Sequence, residues 1–159
     1  MATYYTNQSR TFGTRIGQGA ARELVTATAI VAMTTAMIDN TNDLVGLFWL
    51  PKGAVVVGVT VAASDMDTNG TPTLAFDIGD ADDQNRLIAA SAVGQAGTLK
   101  VDTVVPSTGF LYKYTADTLI NAYVQAVAAT GAAGTLYVAV TYFVDPEFST
   151  TALTATTTA

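Results

Sequence analysis

Residues 135–144 read TLYVAVTYFV, and their apolar side chains fall on every second position: Leu136, Val138, Val140, Tyr142 and Val144 against Tyr137, Thr141 and Phe143. A period of two belongs to a pleated strand with one buried face. Residues 24–33 (LVTATAIVAM) repeat it, with Val25, Ala27, Ala29, Val31 and Met33 in one row and Thr26 and Thr28 in the other. The alanines there would suit a helix, but the β-branched density favours a strand. Residues 55–63 set Val55, Val57, Val59 and Val61 against Val56, Gly58 and Thr60. Residues 73–78 set Leu74, Phe76 and Ile78 against Thr73, Ala75 and Asp77. Residues 110–114 set Phe110, Tyr112 and Tyr114 against Leu111 and Lys113, and residues 118–128 set Ile120, Val124 and Ala126 against Asn121, Tyr123 and Gln125. Residues 44–50 (LVGLFWL) are apolar on both faces, as in a central or interface strand. A shorter strand near Leu99–Val105 brings the count to about eight.

Turn chemistry separates these runs at Asp39–Asp43, Pro51–Gly53, Asp65–Pro72, Gly79–Asn85, Pro106–Gly109 and Thr130–Gly134. Residues 86–93 (RLIAASAV) read as a short helix, with Asp83 or Asn85 as its N-cap. The expected fold is all-β: a two-sheet β-sandwich of jelly-roll type over residues 23–145. Residues 1–22 have no sustained periodicity and form an extended N-terminal arm. Residues 146–159 form a Thr/Ala-rich C-terminal tail after Asp145-Pro146. Fully extended, the arm reaches about 70 Å and the tail about 45 Å.

Composition narrows the chemistry. The 159 residues contain no His and no Cys, which removes disulfides, zinc or iron sites built on those ligands, and every mechanism with a histidine base. Only 13% of residues are charged, about half the usual quarter. Much of the surface is therefore small, uncharged and suited to packing against protein. The formal charge of −6 argues against wrapping nucleic acid. It is unevenly divided, since residues 1–22 hold Arg10, Arg15 and Arg22 and no acid. The remaining residues hold four basic and thirteen acidic groups, so a +3 arm precedes a −9 body. The arm is either a solvated terminus or a segment that docks on an acidic neighbour. No secretory signal is expected at the start, and no apolar run approaches the roughly 20 residues that span a bilayer. A product made in the cytoplasm, with no membrane partner, follows.

Asp65-Met66-Asp67-Thr68-Asn69-Gly70 copies the opening of a calcium loop. Phe76 stands where the closing Glu belongs, so a turn held by Asx side chains is favoured over a bound cation. Asp77, Asp80, Asp82 and Asp83 flank a Gly turn with Arg86 nearby, and they read as a solvated loop and not as a glycosidase pair. No phosphate loop or nucleophile elbow occurs, so neither an enzyme nor a cofactor is expected. Phe48 and Trp49 point to opposite faces, one toward the core and the other toward a second protein surface, with a sugar platform as the alternative. Tyr4 and Tyr5 beside the arm's arginines are candidate interface anchors.

The run Leu50-Pro51-Lys52-Gly53-Ala54 into a valine strand, followed by Ser64 to Leu74, resembles capsid-associated proteins of tailed bacteriophages. So do Asp77-Ile78-Gly79-Asp80, Arg86 to Ser91 and Gly94-Gln95-Ala96-Gly97. The resemblance covers roughly residues 44–144 and is closest to head decoration, or cement, proteins. It implies a structural virion protein that binds the major capsid protein on the outer shell and works as a homo-oligomer, with a homotrimer expected. Tyr4, Tyr5, Arg10, Arg15, Arg22 and Trp49 are the expected capsid or subunit contacts. A receptor- or glycan-binding β-sandwich of a phage fibre or cell surface is the alternative, because jelly rolls also serve as lectins.

Overall fold

The computed structural model describes residues 23–95 and 108–145, together with the backbone of Thr3–Tyr5. The strands in chain order are β1 Thr3–Tyr5, β2 Val25–Met33, β3 Leu44–Leu50, β4 Ala54–Ala63, β5 Ala75–Gly79, β6 Ile88–Ser91, β7 Thr118–Ala126 and β8 Gly134–Val144. One sheet has the order β1-β3-β7-β5-β6 and the other β2-β8-β4. Every pair is antiparallel except β1 with β3. Beyond β4, residues 111–114 run alongside it. The Val56 N–H donates to the Tyr112 carbonyl at 3.1 Å, the Leu111 N–H to Val56 at 2.7 Å, and the Tyr114 N–H to Ala54 at 2.9 Å. With that segment beside β4, a four-stranded layer packs against the five-stranded sheet, in the two-sheet β-sandwich of jelly-roll type that the sequence led one to expect.

The expected alternation holds in β2 and β8. Ala27, Ala29, Val31 and Met33 face Leu136, Val138, Val140 and Tyr142 in the core. In β4 the alternation breaks. Val56 pairs with Tyr142 and Gly58 with Thr141, leaving Val57 as a bulged extra residue. A bulge inverts the side-chain parity beyond it. The inward row is therefore Ala54, Val56, Val59, Val61 and Ala63, not a continuous row from Val55. A similar bulge at Leu47 in β3 turns both Leu47 and Phe48 inward, which accounts for a strand that reads as apolar on both faces.

Residues 86–93 are not a helix. They supply edge strand β6, which pairs Ile88 with Ile78 and Ser91 with Phe76. The Ala90 N–H donates to Asp77 Oδ1 at 2.6 Å, holding Ala90 at a φ of 49°. Sheet pairing and this carboxylate outweigh the alanine-rich helical preference. The Asp83 side chain caps nothing there; the Asp83 carbonyl accepts the N–H groups of Asp80 and Arg86 and closes a turn. Residues 110–114 lose their alternation at Leu111, whose φ is 60°, so Phe110 is 51% exposed while Tyr114 is buried. Strand β1 is an addition to the expected set. The strand near Leu99–Val105, the arm beyond Tyr5 and the tail lie outside the described residues.

Candidate assembly surface

The register of the β2-β8-β4 sheet places its outward side chains in rows: Thr26–Thr141–Gly58, Thr28–Ala139–Thr60 and Ile30–Tyr137–Ala62. No charged residue stands in these rows. Small side chains keep the surface flat, and the Thr26 and Thr141 hydroxyls lie 3.0 Å apart. Ile30 stands out from the face at 70% exposure, and Tyr137 beside it is half-buried. Depletion of charge around a few large side chains is the compositional mark of a protein interface core. The outward rows of residues 24–33 and 135–144 carry this signal in the sequence, where every outward position lacks a charge.

The outer face of the other sheet is built differently. The loop after β5 folds back over it, and a Cβ on Gly79 would overlap the Asp83 carbonyl. The Tyr123 hydroxyl donates to the Asp80 carbonyl at 3.0 Å. Asp80 is buried; its carboxylate accepts the Asp82 and Asp83 N–H groups at 3.0 and 2.9 Å and Arg86 Nε at 2.6 Å. The Arg86 guanidinium also lies 3.9 Å from the centroid of the Tyr112 ring, which in turn makes an edge contact with Tyr114. Burial opposes the Arg86 charge, and the Asp80 bond and charge more than restore it. Burial pushes the Tyr114 phenol up, with Asp80 adding to the shift. The expected solvated acidic loop is thus an ordered clasp between β5, β6 and residues 108–114. Asp77 is also buried, and burial raises its pKa against the opposing Ala90 hydrogen bond.

Asp67 is 1% exposed, and both its oxygens hold backbone. Oδ2 accepts from Thr73, Leu74 and Ala129 at 2.7, 3.1 and 2.9 Å, and Oδ1 from Thr130 at 2.8 Å and Asn69 at 3.4 Å. Burial alone would raise its pKa; the N–H donors of Thr130, Ala129, Thr73 and Leu74 override it and hold the carboxyl far below the usual range. Asp65 Oδ1 accepts the Asp67 N–H at 3.1 Å, and Asn69 Oδ1 the Thr71 N–H at 2.9 Å. The residues that copy a calcium loop form an Asx-stabilised turn that ties two loops together.

Of the expected contact residues, Phe48 is buried in the core and Trp49 is half-buried on the outer face of β3. The backbones of Tyr4 and Tyr5 lie on the adjacent strand, in register with Val45 and Gly46. Arg10, Arg15 and Arg22 lie outside the described residues. Trp49, Leu44, Leu119, Asn121, Asp117 and Thr118 line a cleft of about 400 Å³.

No family model matches this sequence, and no curated protein matches it. Solved structures do. A chain from the capsid asymmetric unit of cyanophage Pam1 is 35% identical, with 88% of this chain and 98% of that chain covered and a TM-score of 0.67. A chain from the capsid of Ralstonia phage GP4 is 26% identical, with 91% and 99% covered and a TM-score of 0.76. A chain from the acid-stable capsid of Helicobacter pylori bacteriophage KHP30 shares the fold at 20% identity, with 80% and 92% covered and a TM-score of 0.54.

Proposed function

Since the chain belongs to the family of capsid-associated bacteriophage proteins represented in the Pam1 particle, we propose that it is a head decoration, or cement, protein. In this reading it binds the major capsid protein on the outer surface of the shell as a homotrimer and stabilises the particle. The observation that carries the reading is the uncharged outer face of β2, β8 and β4 on a chain of net charge −6. Acidic surfaces repel one another, so close approach is cheapest where charge is absent. The +3 arm, with Tyr4 and Tyr5 at its start, supplies a complementary charge that crosses to neighbouring subunits. Each such tie need contribute only a few kcal/mol, because many copies on one shell act together.

The test is co-sedimentation with capsids lacking the protein. Ile30→Asp places a carboxylate on the face at an exposed position of β2, where its effect on folding stability stays within about 0.5 kcal/mol. Capsid binding is expected to fall at least tenfold with the melting temperature unchanged, and binding equal to wild type refutes the reading. Light scattering of the free protein is expected to give about 49 kDa, three copies of the 16.4 kDa chain. A clean monomer in solution confines trimer formation to the shell.

A further inference from the structure

Strand β2 is the edge of the β2-β8-β4 sheet, and among the described residues no strand lies beyond it. Its nine residues, Val25–Met33, pair with β8 without a break in register. A straight edge of that length offers a row of backbone N–H and C=O groups to an extended segment. The side chains beside it are uncovered as well. Leu24, just before the strand, is 67% exposed, and Ile30 within it 70%; Thr26 and Ala32 are exposed in the same outward row.

The segment of this chain that fits the edge is the Thr/Ala-rich tail. From Phe148 to Ala159 it holds six threonines, Phe148 and Leu153, and no charge, proline or glycine, a composition that favours extended pairing. Thr26 and Thr141, whose hydroxyls lie 3.0 Å apart, already form a cross-strand threonine pair on this sheet, and a threonine-rich strand beside β2 extends that row. The N-terminal arm fits less well, because Gly13, Gly17 and Gly19 weaken a strand and Arg10, Arg15 and Arg22 bring charge to an uncharged row. The fourteen residues after Asp145 reach about 45 Å when extended. Nine residues of β2 span about 30 Å, which leaves length to cross from one copy to the next.

The chain's own β2 is the harder target. Strand β8 runs antiparallel to β2 with Tyr142 opposite Val25, so the tail leaves at the end where β2 begins. There the Asp145 N–H donates to the Gly53 carbonyl at 3.0 Å and holds the exit on the β4 side. To reach its own β2 the tail has to turn back across β8 and around Glu23 and Leu24, then run parallel, in the weaker ladder. The edge of a neighbouring copy imposes no such path. A cyclic trimer joins unlike surfaces, one donor and one acceptor per copy, and the tail and the β2 edge make such a pair. We infer that the tail of each copy adds a strand to the β2 edge of the next and so closes the homotrimer proposed above, a reading on which this exchange rests.

The chain contains no cysteine, so a variant with both Thr28→Cys and Thr154→Cys carries only two thiols, one near the middle of β2 and one near the middle of the tail. A short bismaleimide is applied to the full-length protein, both in concentrated solution and bound to capsids that lack it. Denaturing gels are expected to show covalent species of two and three copies, the larger at about 49 kDa for three copies of the 16.4 kDa chain. Each single variant is expected to give at least tenfold less. Adding Thr151→Pro and Thr157→Pro, which removes ladder donors from the tail, is expected to cut the linking at least tenfold while circular dichroism shows the sandwich intact. Links confined within single chains, or none in either condition, overturn the inference. Linking by Thr28→Cys alone at the level of the pair also overturns it and gives the edge to a second β2. Capsid binding without links between copies refutes the exchange alone, whereas links between copies without capsid binding refute only the decoration reading.

Discussion

Replacing Asp67 by Asn changes one oxygen to an amide nitrogen at constant shape, in a site where all five contacts come from N–H donors. The amide must turn its NH2 toward one set. The smaller loss is on the Oδ1 side, where Thr130 donates at 2.8 Å and Asn69 only at 3.4 Å. That side forfeits one good charge-assisted bond, worth about 1.5–3 kcal/mol, and leaves a buried N–H facing another donor, at a further cost of about 1–3 kcal/mol. A destabilisation of about 3–4 kcal/mol follows. The pH dependence identifies its source. The folded-state pKa of Asp67 is depressed below its ordinary 3.8, so its stabilisation is complete above that value. It fades as pH falls through the range where the unfolded chain takes up a proton that the folded chain refuses, at about 1.4 kcal/mol per pH unit. Urea denaturation from pH 7 to pH 2 measures both quantities, provided the m-values of the two proteins agree. The stability gap is expected to hold constant down to about pH 4 and then narrow steadily. A gap below about 1 kcal/mol at pH 7, or one that stays constant to pH 2, refutes the assignment of Asp67 as a charged backbone anchor.

Two further outcomes are open to the same assay. Asp77→Asn keeps the acceptor for the Ala90 N–H and removes a carboxyl whose pKa burial raises. The sign is opposite to that at Asp67, so the variant is expected to equal or exceed wild-type stability at pH 7, with any gain vanishing below about pH 4; a clear loss at neutral pH counts against it. Deleting Val57 removes the bulged residue and leaves Val56 opposite Tyr142 and Gly58 opposite Thr141. It is expected to fold at a cost below about 2 kcal/mol, typical of a single mutation, whereas deleting Thr60 forces one core valine out of register. Equal losses for the two deletions refute the bulge as the parity switch.

The two regular strands β2 and β8 were legible because nothing interrupts their alternation, and they form the face on which the functional reading rests. The parity switch in β4 was not, since Val55, Val56 and Val57 are identical side chains and the bulge is fixed by pairing with β8 across the sheet. Strand β6 was hidden by composition: Ala89 and Ala90 favour a helix locally, and the opposing force comes from β5 and Asp77. Asp67 shows the same limit at a site. Its sequence neighbourhood is that of a cation loop, because oxygens that bind a cation are equally good acceptors for peptide N–H groups. What decides between the two is a pair of donors 62 and 63 residues away, at Ala129 and Thr130. The Trp49 cleft was only half visible, since Trp49 itself stands out but Asn121 is held beside it through Tyr123 and the Asp80 carbonyl.

The two outer faces of the sandwich differ in how they meet water, and the difference bears on what the protein is for. One is roofed by the Asp80–Arg86 clasp, which brings charge over the strands. The other is bare. Among the described residues β2 is its edge strand, with nine residues that include no charge, no proline and no bulge. Strands of that kind template pairing with other chains, and proteins that work alone blunt them with lysine, proline or a bulge. Here β4 carries the bulge in its pairing with β8, while β2 and the outward rows beside it stay flat. A surface left in that condition is a hazard for a free monomer and an asset for a chain whose working state is covered by its neighbours. The low charge content, the flat rows and the unblunted edge are therefore one property, and it belongs to a protein that functions in contact with others.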